Sequence, residues 1–230
     1  MPHRSPSEPL LRSKQSALDI QDLKGLLHLR WRWGDWVVLD AHYTRIDQVF
    51  MLWGLIAGVI FMTAEWAPLL WTTQALLWSV VTLSISAIMI RLSWCWARIE
   101  RLRWLVCFWA SLMLLGVVIT DIGIFGHWGW LMGHLCLLWL ELCAFGYGVS
   151  AIAVQSRSLG TVGLIHGLSG VAIANLSTHS FGMTALIMAG TLLLLGEYQW
   201  DMRPPIHFHH LTPEERQFNQ QQQLLRQSCL

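Results

Sequence analysis

His127, His134 and Glu141 recur at seven-residue intervals inside one apolar stretch that reads HWGWLMGHLCLLWLE. Seven residues advance an α-helix by two turns less about 20°. A continuous helix would therefore hold both imidazoles and the carboxyl in one nearly straight row, continued by Gly148. Such a row can relay protons or form a buried polar seam. An acidic side chain near the middle of a membrane helix is costly, so Glu141 is expected to face protein and not lipid.

His166, on the next apolar stretch, is the expected partner of Glu141. Gly163, Gly167 and Gly170 flank it, and small residues let helix backbones approach closely. Counted from the helix ends at 1.5 Å per residue, Glu141 and His166 lie within roughly 8 Å in depth. Asn175 is nine residues from His166, about half a turn away, and His179 lies near the Asn175 side, so only one set can face the preceding helix. The glycines favour the His166 face. The same stripe suits a dimer face, but contact within the bundle is the expectation, since short connections force neighbours to pack.

Two further groupings suggest cofactor chemistry. His134 and His179 fall at similar depth on adjacent antiparallel spans, as bis-histidine ligation of haem or another pigment would require. The angular argument works against that pair, which needs the other face of the fifth span. Glu65, Asp121, His127 and His179 gather near one outer surface, but their spacings match no compact metal-ligand motif, so no metal site is expected.

Gly167-Leu168-Ser169-Gly170 resembles the G-x-S-G of rhomboid intramembrane proteases, which have six core helices. The resemblance implies a serine nucleophile at Ser169 and a histidine base two helices later. It covers four residues, the serine falls one helix late, and the last span holds no histidine, so the base is missing. No lysine lies in any span, which excludes a retinal Schiff base. His207-Phe208-His209-His210 reads as a solvated linker.

The elements that must position these groups are membrane spans. Of 230 residues 54% are hydrophobic and only 13% charged, about half the charge of a soluble domain. Fifteen tryptophans suit the membrane interface. No cleavable signal peptide is expected from the polar first 25 residues, and the five cysteines, without a C-x-x-C, read as small apolar residues.

Six apolar spans are expected, near 49–64, 69–92, 104–122, 127–154, 159–177 and 181–200. Their length and lack of period-two alternation favour helices. Seven Lys and Arg precede the first span. Arg91, Arg98, Arg101 and Arg103 bracket the second connection, Arg157 sits in the fourth, and Arg203, Arg216 and Arg226 follow the last. All fifteen then share one face, so both termini are expected in the cytoplasm. Trp66, Trp71, Trp128 and Trp130 fall at the outer interface, seven others at the inner one. Only Trp53, Trp78, Trp109 and Trp139 stay well inside spans.

The fold class is thus all-α: a polytopic membrane protein with six transmembrane helices, an N-terminal interfacial segment and a short C-terminal cytoplasmic helix. Residues 1–46 form the cytoplasmic N-terminal part, disordered to about 16. From about 18 it is amphipathic, lying on the membrane or packed as a helix against the bundle ends. Residues 47–200 form the bundle and 201–230 a Gln-rich tail. In the tail, Thr212-Pro213-Glu214-Glu215 forms a capping box that opens a short helix.

No complete catalytic set is present, and the external loops are small. The leading expectation is a non-enzymatic accessory or assembly component of a membrane complex, in a plasma, inner or other energy-transducing membrane. Its partners are the lipid bilayer and other membrane subunits, not nucleic acid. Proton-coupled or small-solute transport through Glu141 and the histidines is the first alternative. Redox chemistry on a bound haem or pigment is the second.

Overall fold

A computed structural model describes residues 10–12, 27–34, 36–175, 179–201 and, in the tail, 212–214, 217 and 221. It is mostly helical. The long helices are α1 (Arg45–Trp66), α2 (Trp71–Ile99), α3 (Arg103–Phe125), α5 (Leu135–Val154), α6 (Arg157–Ala174) and α7 (Ser180–Glu197), with a single-turn α4 (Gly129–Met132) between α3 and α5. Five of them, α1, α2, α3, α5 and α7, are long and apolar enough to cross a membrane. Their outward faces carry exposed apolar side chains such as Leu55, Val80, Leu114, Ile152 and Leu186. A surface of this kind is stable only against hydrocarbon or another apolar partner. The protein is accordingly an integral membrane protein with several spans.

The helix α6 has 18 residues, as many as α7. It is more polar, with Arg157, His166, three hydroxyl residues and four glycines.

The helices pack as a ring. α1 lies along α7 and beside α2, α2 pairs with α3, α3 touches α5, and α5 returns to α7. α6 sits outside that ring, packed mainly on α5 and also on α7.

Side-chain clasps tie the two ends. At one end the N-terminus of α1, the N-terminus of α6 and the C-terminus of α7 meet. Thr44 and Asp47 form a capping box at the start of α1. The Tyr43 hydroxyl donates to Glu197 Oε2 at 2.7 Å. Asp201 accepts from the Arg157 N–H at 3.0 Å, the Ser158 N–H at 2.8 Å and the Ser156 hydroxyl at 2.9 Å. At the opposite end the C-terminus of α1 meets the N-terminus of α7. α6 therefore runs the height of the bundle.

The N-terminal segment differs from the amphipathic helix considered above. Strands β2 (Leu27–Trp33) and β3 (Trp36–Tyr43) form an antiparallel hairpin in which Trp33 pairs with Trp36 across a two-residue turn. The fold is thus helical with an added hairpin, not all-α. The apolar and basic residues of Leu27–Trp33 alternate with period two, which suits a strand and not a helix. Gly34 supplies φ +60° at the turn, a conformation open to glycine and strained for most other residues. A short pairing of β1 (Leu11–Arg12) with β4 (Gln199–Trp200) ties the chain's start to the end of α7. In the tail, Pro213, Glu214, Gln217 and Gln221 are helical, where the short helix is expected. Glu215, the His207–His210 cluster, nearly all of residues 1–16 and residues 18–26 lie outside the described residues.

Candidate functional site

The row of His127, His134 and Glu141 does not form on one helix. His127 sits in the left-handed region at φ +51°, α4 ends after a single turn, and α5 begins only at Leu135. Gly126, Gly129 and Gly133 weaken helix propagation across this stretch. His127 is exposed. The His134 Nδ1–H donates to the Trp130 carbonyl at 2.6 Å, and its ring stacks on Trp130 with centroids 4.5 Å apart. Neither histidine faces Glu141.

Glu65 and His179 do meet. His179 Nδ1 lies 2.7 Å from Glu65 Oε1. The other carboxylate oxygen accepts the Gly182 N–H at 3.1 Å, so Glu65, on the last turn of α1, caps the start of α7. The first N–H groups of a helix have no internal partners and carry positive partial charge, which a carboxylate answers. Glu65 is largely buried while the His179 ring is 74% exposed. Asp121 does not join them. Both its oxygens accept from the Ser79 hydroxyl at 2.9 Å, linking α3 to α2. No cluster of three or more metal-ligating side chains occurs among the described residues. His134 and His179 point to different partners, so the geometry does not assemble the bis-histidine pair.

The glycine stripe faces α5, as the sequence suggests. A Cβ on Gly163 would stand 3.1 Å from the Ala144 carbonyl oxygen and 3.3 Å from the Gly148 nitrogen. One on Gly170 would stand 2.9 Å from Glu141 Oε1. The Glu141 carboxyl thus lies on the α5–α6 seam against Gly170. It does not reach His166, and it is exposed on the outside of the bundle. The expectation that it faces the interior is corrected here: α5 turns its Cys143 and Tyr147 side inward, and Glu141 falls on the flank. Glu141 makes no hydrogen bond among the described residues.

His166 is fully buried. Its Nδ1–H donates to the Val162 carbonyl at 2.9 Å, its ring lies 5.1 Å from that of Tyr147, and Nε2 has no hydrogen-bond partner. Ser169 lies on the same helix, and no histidine is bonded to it among the described residues.

Site reasoning on the sequence missed one further feature. The helix ring lines a partly open apolar cavity of about 170 Å³. Its wall on α5 extends from Leu135 to Val154 and on α1 from Ile46 to Ala64, roughly 27–28 Å at 1.5 Å per residue. Among the described residues, no carboxylate, lysine, arginine or histidine lines it. Trp53, Trp78, Trp109 and Trp139, the four tryptophans left inside spans by sequence, all stand in its wall. Each of these four indole N–H groups is already bonded. Trp109 donates to Ser150 at 2.9 Å, Trp139 to Thr120 at 3.1 Å, Trp78 to Thr63 at 3.2 Å, and Trp53 to the Met89 sulfur at 3.2 Å.

No protein-family model, curated protein or solved structure matches this chain.

Proposed function

We propose that this chain is a six-span accessory or assembly component of a membrane complex, with both termini in the cytoplasm and no catalytic role of its own. Six crossings are supported by α6, which runs the bundle's height between ends clasped by Asp201 and by Glu65. With six crossings, every Lys and Arg falls on the Asp201 side, as the positive-inside rule requires.

The observation that carries the assembly role is Glu141. It stands on the seventh residue of α5, exposed, beside Gly167 and Gly170, with no hydrogen bond among the described residues. An acidic side chain at the centre of a span costs about 2.5–3.5 kcal/mol on the insertion scale. A hydrogen-bond donor or cation on a transmembrane helix of another subunit would offset that cost, and the glycines beside it would let that helix approach closely. Proton-coupled transport draws no support from the cavity, which offers no titratable carboxylate or histidine along its wall.

The test is a photo-crosslinking amino acid at Phe145, which is 59% exposed one turn from Glu141. Crosslinks in native membranes to a distinct protein, lost in Glu141→Leu while the variant stays folded, are expected. Crosslinks to lipid alone overturn the assembly role.

A further inference from the structure

The central cavity has a chemistry of its own, independent of the Glu141 face. Protein interiors rarely leave voids larger than a water molecule, and this one is about 170 Å³. Water is a poor occupant, since a buried water needs two to four polar partners. Most of the polar groups in the wall are already engaged. Ser93 bonds the Met89 carbonyl, Ser150 the Gly146 carbonyl, Ser79 the Asp121 carboxylate, and Thr120 accepts from Trp139. The indole N–H groups of Trp53, Trp78, Trp109 and Trp139 are likewise bonded, which leaves their carbon surface for the space.

Shape narrows the occupant further. The wall reaches from Trp96 and Trp200 at one end to Ala75 and Phe181 at the other, and an aromatic contact stands at each end. Phe50 packs edge-on against Trp200 at 6.0 Å, and Phe181 packs against Trp71 at 5.6 Å. A modest volume drawn out over the height of a helix fits a thread, not a disc or a compact ring system. Pockets that bind small molecules are concave and mostly apolar, with orientation set by few polar groups.

We propose that the cavity is a binding site for a single flexible hydrocarbon chain, lying along the bundle axis between α1, α2, α3, α5 and α7. Such a chain comes from a free fatty acid or from one acyl chain of a membrane phospholipid. In either case the part bound is the hydrocarbon.

Photolabelling of the full-length protein in nanodiscs tests this, with a diazirine-bearing fatty acid in one arm and a phosphatidylcholine carrying the same acyl chain in the other. Peptide mapping is expected to find label on wall residues such as Met113, Trp139 and Thr82, at least fivefold reduced by excess unlabelled fatty acid. The lipid-facing Leu76, Leu114 and Ile152 should label without saturation in both arms. Saturable wall labelling in only one arm identifies the source of the chain. Filling the space with Ala57→Phe or Val106→Trp should abolish wall labelling and leave lipid-facing labelling intact. Should those variants fail to fold, saturation in the wild-type protein still decides the matter. Label confined to lipid-facing residues, or wall label that does not saturate, overturns the proposal.

Discussion

Glu65 and His179 stand 114 residues apart in sequence and 2.7 Å apart in space. The contact closes the ring of helices, because it joins the last turn of α1 to the first of α7. Replacing the carboxyl removes an ion pair and the cap on Gly182 together. Glu65→Ala is expected to lower stability by about 1.5–3 kcal/mol, the range for hydrogen bonds to charged groups. His179→Ala should cost less, since its ring is 74% exposed and exposed ion pairs contribute little. Thermal unfolding in mild detergent compares the two, and equal losses would remove the capping role.

Asp201 makes the opposite end sensitive to acid. Burial alone would raise its pKa, but hydrogen bonds from Ser158, Arg157 and Ser156 outweigh burial and hold it at about 2, below the ordinary 3.8. The folded state therefore favours the charged form. The stabilisation is complete above about pH 4 and is lost as pH falls toward 2. It amounts to about 1–2 kcal/mol, the lower end allowing for solvent around Arg157. Asp201→Asn should lower the melting temperature at pH 7 and flatten the dependence between pH 4 and 2. A variant that keeps the wild-type acid profile contradicts this account.

Tyr43 gives the mirror case at high pH. Burial, then its hydrogen bond to Glu197, raise its pKa to about 12 from 10.0. The fold favours the neutral phenol, so this contribution is present below about pH 10 and lost as pH rises through 12. Absorbance titration of tyrosinate should show late ionisation, and Tyr43→Phe should reduce its amplitude by one tyrosine.

The glycines on α6 should differ in their tolerance of a side chain. A Cβ on Gly163 meets backbone atoms of α5 at 3.1 and 3.3 Å, whereas one on Gly167 meets only side-chain atoms, Ala144 Cβ at 3.6 Å and Glu141 Oε2 at 3.8 Å. Backbone cannot give way as a side chain can, and overpacking of this kind costs about 1–3 kcal/mol. Gly163→Ala should therefore destabilise clearly, and Gly167→Ala should be near neutral. Melting curves that rank them the other way would mean that the helices cross elsewhere.

Topology is checked from outside intact cells in a cysteine-free background. A cysteine replacing Pro68, exposed between α1 and α2, should react with an impermeant maleimide. One replacing Arg103, exposed at the start of α3, should react only after permeabilisation. Reversed reactivity would invert the orientation expected from the basic residues.

The long helices were legible in the sequence because lipid imposes its own rule. A backbone crossing hydrocarbon must satisfy its hydrogen bonds internally, so sustained apolar runs can be read as helices without knowing what they touch. The close approach of α6 to α5 was also legible, since Gly163, Gly167 and Gly170 form a small-residue stripe and short connections force neighbouring helices to pack. The hairpin at 27–43 carried its signal in Leu-His-Leu-Arg-Trp-Arg-Trp-Gly-Asp-Trp. Its basic and apolar residues also suit an amphipathic surface segment, and the period of two decides between them. Where Glu141 faces was decided by tertiary structure alone. Periodicity gives the angle between two residues of one helix but not the rotation of that helix among its neighbours, which packing of Cys143 and Tyr147 against the core sets. The break at Gly133 removed the helical row that had pointed inward. The cavity, likewise, belongs to no single segment. Trp53, Trp78, Trp109 and Trp139 were visible as interior tryptophans, but only the closure of α1, α2, α3, α5 and α7 into a ring places them around one space.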